Sequence, residues 1–361
     1  MEDCPRQCED QPLPKSKRKD VLPLEARRHP LVARIEKTLD TRCGVDGSKD
    51  EALPIVVGVS GGADSCALLL VLKAIALHER PGKPGLRPIV VHVNHHLRES
   101  ADEDASFARQ LASSLDVEFH LEHVHPGDLP GNMASNARSL RYQALGDVAR
   151  RVGARLVAVA HHGDDQLETI LMALGRGAGL EGLAGMPWRR DMGEGLSLLR
   201  PMLEVRHSEC EAMCRSAGLE WREDPGNLDM KSARARIRQE VVPVLDALWP
   251  DVASRITNSC DLAQAAGEAL DQLLARLFGD PGLRSWSREK LQGSSVPILG
   301  AGLRRAALDA VPEVTDELGQ KHLIQAAQAI LDEDRTPKTY DWPLGLQLIV
   351  NSKAVELKRR T

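Results

Sequence analysis

From residue 31 the apolar positions Leu31, Val32, Ile35 and Leu39 fall at helical spacing and predict a helix over 31–39. The texture then changes. Pro54–Val59 is an unbroken apolar run, as expected of a strand covered on both faces, and an apolar segment over 65–78 follows it as a helix. The alternation repeats along the chain. Residues 88–93 read as a strand and 101–115 as a helix; "VEFHLEHV" from Val117 alternates like a strand and 134–151 reads as a helix; 155–160 is a strand and 164–174 a helix. Strands separated by helices need right-handed crossovers, so residues 29–248 are expected to form an α/β domain. Its sheet should be open and mostly parallel, with helices on both faces and its ligand at the carboxyl ends of the strands.

After Pro250 no such rhythm persists. "ASRITNSCDLAQAAGEALDQLLARL" is helical in period and "YDWPLGLQLIVNSKAVELKRR" alternates like a hairpin, so 249–361 reads as a mainly helical domain with a short β ending. Residues 1–28, rich in charge and proline, read as a disordered tail, and its basic run Lys15–Lys19 as a solvated segment.

Composition narrows the class. The 361 residues are 42% hydrophobic and 27% charged, which describes a globular chain. No window holds 18 uninterrupted apolar residues and the N-terminal segment has no apolar signal core, so no membrane partner and a cytoplasmic location are expected. The seven cysteines are irregularly spaced, as for reduced thiols. The formal charge is −5, so any nucleic-acid surface must be a local patch.

The candidate chemistry lies where the first strand turns into its helix, at Ser60-Gly61-Gly62-Ala63-Asp64-Ser65. The glycines permit a tight bend and a close backbone approach, the serines supply hydroxyls, and the helix presents free N–H groups, so a phosphate is the natural guest. No Gly-Lys-Ser/Thr follows, which rules out the Walker loop, and G-x-G-x-x-G is absent. Asp64 beside a phosphate nest makes sense with Mg2+ between them.

A strand followed by S-G-G-x-D-S resembles the pyrophosphate loop of the N-type ATP pyrophosphatases. Three more stretches are informative: "VVHVNHHLRESADED" (90–104), the segment opened by "HHGDDQLET" (161–169), and "LRPMLEVRHSECEAMCRSAGLEWREDPGN" running on to "ARARIRQEVVPVL" (199–245). Together with the loop they resemble the tRNA(Ile)-lysidine synthetases over residues 50–250. That family has Arg-Asn-Arg-Ile-Arg where this chain has Arg234-Ala235-Arg236-Ile237-Arg238, so the contribution of the family's asparagine is missing here.

The resemblance implies ATP and L-lysine as substrates with Mg2+, and tRNA(Ile) with a CAU anticodon as the partner; a homodimer is left open. The wobble cytidine's carbonyl oxygen attacks the α-phosphate, and lysine's ε-amine then displaces AMP from carbon 2. Asp64 and Asp165 are metal candidates. Asp164, Asp165 and Glu168, with Asp64, are the acids to hold lysine's ammonium and take its proton. That help is needed because an amine of pKa about 10.4 is free in about one molecule in a few thousand at neutral pH, a deficit of about 4–5 kcal/mol. Arg138 and Arg141, three apart on one helix face, and His161 are expected at the nucleotide. Adjacent residues seldom ligate one metal and zinc spacing is lacking, so His161-His162 are read as an ATP contact or packing. Arg98, Arg234, Arg236 and Arg238 are expected to contact RNA. Two alternatives remain: a tRNA thiolase, which would want a C-x-x-C pair that is not present at Cys4/Cys8 or Cys210/Cys214, and an ATP- or RNA-binding module without turnover.

Overall fold

The computed structural model describes residues 21–45, 52–78, 82–222 and 232–360. The chain divides into two compact units, 1–263 and 264–361.

The first unit opens with helices α1 (Leu24–Arg27) and α2 (Pro30–Thr41). Residues 21–28 do not behave as a tail: Leu22 and Ala26 are buried in the main core. The alternation that follows is β1 (Leu53–Gly58), α3 (Ala63–Leu77), β2 (Leu86–Asn94), α4 (Ala101–Ser114), β3 (Glu118–His123), α5 (Met133–Arg151), β4 (Leu156–Ala158) and α6 (Gly163–Gly175). A short α7 (Leu180–Leu183) leads to strands β5 (Arg189–Asp191) and β6 (Ser197–Leu199), which the periodicity did not indicate. Each has only three residues and no longer apolar run around it such as marks the equally short β4, and Arg189-Arg190-Asp191 is exposed and polar. Helices α8 (His207–Ser216), α9 (Ala233–Arg236) and α10 (Val242–Leu248) complete the series before the long α11 (Val252–Phe278).

The six strands pair in the order β3-β2-β1-β4-β6-β5, all parallel except β5 against β6. Successive strand residues feed opposite faces. Ile55, Val57 and Ala158 join a core with α1, α2, α3 and α8, while Val56, Ile89, Val91 and Val157 join Tyr142, Leu145 and Val148 of α5 on the other side. Helix α3 is apolar all round and buried along twelve of its fifteen positions, so it is an interior helix and not a surface one. The strand order reverses between β1 and β4, the place where open α/β sheets bind ligands.

The division between units falls within α11, later than the change of texture at Pro250 indicated. The first part of α11 belongs to the first unit, where Ala253 and Thr257 are fully buried and the Thr257 hydroxyl donates to the Leu203 carbonyl at 2.9 Å.

In the second unit α12 (Arg288–Gln292), α13 (Val296–Ala310) and α14 (Gln320–Leu331) accompany the end of α11. Four antiparallel strands, β7 (Ser285–Ser287), β8 (Lys338–Asp341), β9 (Leu346–Val350) and β10 (Ala354–Arg359), pair as β7-β10-β9-β8, a larger sheet than the expected hairpin. Arg288 is fixed inside this unit by donating to the carbonyls of Ala329, Ile330, Asn351, Asp332 and Asp334. Among the described residues no helix is long and apolar enough to cross a membrane.

Candidate functional site

The turn after β1 is built by its own side chains. Gly61 adopts φ +98°, closed to most residues, and its carbonyl accepts from the Arg222 N–H at 3.0 Å. The Ser65 hydroxyl donates to the Gly62 carbonyl at 3.0 Å and accepts from the Ser60 N–H at 3.1 Å, so the bend closes on the first turn of α3. The preceding residue is pinned as well: buried His92 on β2 holds the Val59 carbonyl through Nδ1 at 2.8 Å. Ala63 and Asp64 then begin α3, with the helix's free N–H groups directed at the bend.

This turn forms one wall of a cavity of about 920 Å³, ample for a nucleoside triphosphate. Ser60, Gly62, Asp64, Ser65, His95, Arg98, Arg141 and His161 line it. Three buried polar atoms at its surface have no hydrogen-bond partner in the protein, namely His95 Nδ1, Arg141 Nε and His161 Nδ1. Buried polar atoms are rarely left so, which fits a polar ligand. Burial, reinforced by nearby arginines, keeps these imidazoles neutral, holding His95 down to about 4 and His161 to about 3. Arg141 faces the cavity directly. Arg138 stands behind it over the Tyr142 ring at 5.2 Å, with Arg190 at 4.9 Å, and makes this wall strongly cationic.

The acids separate into two functions. Asp64 accepts from His207 Nδ1 at 2.8 Å and faces His162 Nε2 at 3.5 Å. Burial would raise its pKa, but these two imidazoles hold it well below the usual carboxylate range. Asp165 also faces His162 Nε2, at 3.6 Å, so the two carboxylates converge on one ring nitrogen. Burial opposes the charge of Asp165 too, and charged His162 and Arg234 lower its pKa. Asp164 and Glu168 are placed differently from the expectation that they handle the amine. The Asp164 carboxylate accepts from the His207 backbone N–H at 2.9 Å and pairs with Arg206 Nε at 2.8 Å, so it anchors the start of α8. Glu168 is fully buried between Arg234 Nε at 2.6 Å and Arg238 Nε at 2.5 Å.

Those contacts also correct the reading of the arginines. Arg234 and Arg238 reach inward to Glu168 and to Asp165 Oδ1, at 2.9 and 3.3 Å, and do not form an outward phosphate stripe. A π-helical turn over Ile237–Val241 directly after α9 carries Arg238. Arg236, the next residue but one from each, is exposed and paired with Glu240. Arg98 lines the cavity and donates to Asp104 at 2.7 Å. The EDPGN stretch lies outside the described residues.

Sequence reasoning passed over His207 and read His162, with His161, only as an ATP contact or packing residue. His162 lies among Asp165, Asp64 and Asp164; burial disfavours its charge, yet these carboxylates push it up to about 9. Its Nδ1 also receives the Asp164 N–H at 3.2 Å as a helix cap, which calls for an unprotonated nitrogen. Three carboxylates around a buried ring outweigh one long hydrogen bond, so the imidazolium is the preferred form. His207 is isolated in "EVRHSEC", and nothing in its spacing marks it.

The set fits a divalent cation. Magnesium needs only one or two protein carboxylates besides water and phosphate, and Asp64 and Asp165 lie 3.5 and 3.6 Å from the same nitrogen, His162 Nε2. One ligand atom each from Asp64, His162 and His207 lie within 4.8 Å of one another, a mixed oxygen and nitrogen set that can ligate only once the His162 imidazolium gives up its proton.

Comparison with known proteins shows the family. Residues 31–245 match the model of the PP-loop domain family. A tRNA(Ile)-lysidine synthase of Salinispora arenicola is 42% identical over 225 residues, 62% of this chain and 66% of that protein. One of Deinococcus deserti is 40% identical over 62% of this chain but only 40% of its own length. One of Nostoc sp. is 32% identical over 82% of this chain and 83% of that protein. Thus the chain spans less than two thirds of some of these relatives and most of another. Among solved structures, a U34-tRNA thiolase of Methanococcus maripaludis superposes with a TM-score of 0.54 at 16% identity, over 67% of this chain and 81% of that one, a likeness of fold alone.

Two outcomes follow from the buried charges. Glu168→Ala leaves two guanidiniums without their shared acid and is expected to destabilise the first unit by about 3–5 kcal/mol in urea unfolding; a change within experimental error would refute the clamp. His162 titrates near 9 when folded against 6.5 ordinarily, so its contribution is complete below 6.5 and is lost as pH rises through about 9. The urea midpoint of metal-free protein should fall between pH 6.5 and 9, and His162→Gln should flatten that slope; an already flat wild-type profile would contradict it.

Proposed function

The chain belongs to the PP-loop domain family and, within it, to the tRNA(Ile)-lysidine synthases, and from that premise we propose that it joins L-lysine to the wobble cytidine of a CAU-anticodon tRNA(Ile). ATP is consumed, AMP and pyrophosphate leave, and the new bond links lysine's ε-nitrogen to carbon 2. One observation carries the reading: Asp64, at the start of the helix after β1, and Asp165, at the start of the helix after β4, meet at His162 beside a phosphate-sized bend. The two halves of the reaction thereby share one sheet edge.

In this reading the Ser60–Ser65 bend and the start of α3 hold the departing pyrophosphate by backbone N–H groups and hydroxyls. Arg141 and His161 offer donors toward the α-phosphate, with Arg138 adding positive potential behind them. Mg2+, held by Asp64 and Asp165, supplies charge neutralisation on the phosphates. Asp165 orients the incoming ammonium and accepts its proton, while His162 sets the spacing of the two carboxylates. Glu168 with Arg234 and Arg238 keeps Asp165 in place, so these three are positioning residues. RNA contact falls instead to the more exposed Arg236 and to Arg98 at the cavity wall.

Sulfur transfer finds no support in the thiols. The described cysteines, Cys43, Cys66, Cys210, Cys214 and Cys260, are all buried. Burial pushes Cys214 up to about 12 and raises Cys210 further, which leaves no thiolate at neutral pH.

Incubation with labelled lysine, ATP and a CAU-anticodon tRNA should give AMP, pyrophosphate and labelled RNA. Asp165→Asn should lose lysine transfer by about 10²-fold or more. Normal turnover in that variant removes Asp165 from the mechanism, and AMP release without any labelled RNA removes the reaction.

A further inference from the structure

At the carboxyl edge of β2 and β3 lies an array of imidazoles that the chemistry above does not use. His96 follows β2, His123 ends β3, and His125 comes two residues later; all three are exposed. The rings of His96 and His123 lie within 16° of parallel with centroids 5.0 Å apart, and His96 Nε2 meets His123 Nδ1 at 2.8 Å. That separation is close to the contact plus the two ring radii, so these rings lie side by side and share one hydrogen bond. The His125 ring lies within 12° of His96 with centroids 4.8 Å apart.

The array is preset. His96 is held at φ +51°, an uncommon backbone state for a residue with a side chain, by its N–H donating to Asn94 Oδ1 at 2.9 Å. Asn94 is itself fixed to Asp102 at 2.8 Å. On the other side Asn136 Nδ2 donates to the carbonyls of Pro126, Leu129 and Pro130 and stiffens the loop after His125. Among the described residues no carboxylate forms an ion pair with any of the three rings; nearby Glu122 pairs with Arg151, and Glu118 with Arg87 and His120. Leu97 and Leu129 on the same loops, and Met133 at the start of α5, are exposed large hydrophobics.

Location selects the guest. His96 lines the cavity that holds the phosphate bend, whereas His123 and His125 lie beyond its lining. The near-parallel rings are therefore at the rim, where the RNA must approach, and not within the space for ATP. Phe, Trp and Tyr make up only 3% of the chain, so stacking surfaces are scarce elsewhere. We propose that His96, His123 and His125 form a stacking platform for an unpaired base of the RNA substrate; the proposal rests on the lysidine-forming reading. Single-stranded bases are commonly recognised by stacking on aromatic side chains, histidine among them, and the contact tolerates any base because every base has a π-face.

The test uses the full chain and a fluorescent anticodon stem-loop at fixed salt. H123A/H125A should weaken RNA binding about tenfold or more and leave ATP affinity unchanged, which also reports that the variant is folded. H123F/H125F should bind within about twofold of wild type, whereas H123K/H125K should not. Unchanged RNA affinity in the alanine variant overturns the platform, and so does rescue by lysine equal to that by phenylalanine, which marks a charge effect. A loss confined to ATP affinity also overturns it and assigns the rings to adenine. Wild-type protein that neither binds the stem-loop nor labels tRNA with lysine overturns the underlying reading; wild type that does both, beside an unaffected alanine variant, overturns the platform alone.

Discussion

A carboxylate removed from water must find cations, and in this protein that requirement organises the face of the sheet. Glu168 has no access to solvent and Asp165 very little, so the start of α6 is stable only with Arg234 and Arg238 folded back against it. These partners are 66 to 73 residues away in the chain. The same demand brings α8 in, through Arg206 on Asp164 and His207 on Asp64. Four helices that share no local pattern are thereby gathered around the bend after β1.

That division explains what the sequence made legible. The first four strands, the helices between them and the glycine bend are encoded locally, by apolar period or run and by residues that allow a tight turn, and they occur close to where the pattern put them. Strand β5 escaped because exposed Arg189-Arg190-Asp191 resembles a loop, and β6, as short as β4, lacks the longer apolar run 156–160 in which β4 lies. The end of the first unit escaped because the helix crossing it is continuous in period, and only burial of Ala253 and Thr257 assigns its first turns. Of the residues named from motif and resemblance, Asp64, Arg141 and His161 line the cavity and Asp165 faces the same His162 nitrogen as Asp64. The inward aim of Arg234 and Arg238 could not be read in advance, since a buried pair and a phosphate-binding stripe are written with the same letters. His207 carries no local signal, because its meaning comes wholly from Asp64.

The arrangement joins opposed electrostatic needs within a few ångströms. A cationic wall of arginines and a helix start suit a triphosphate, while converging carboxylates suit a metal ion or an ammonium. Neutral His95 and His161 lie on the cavity side, and charged His162 lies between the acids. Burial sets the first pair and carboxylates the second, so one residue type serves both fields.

The proposed chemistry turns on the cytidine oxygen, not lysine's carboxylate, taking the adenylyl group at this edge. It is tested most directly with tRNA bearing 18O at carbon 2 of the wobble cytidine, followed by mass spectrometry of the released AMP. The account requires the heavy oxygen to appear on the AMP phosphate, one atom for each lysine joined. Unlabelled AMP formed alongside lysine-bearing tRNA would contradict it.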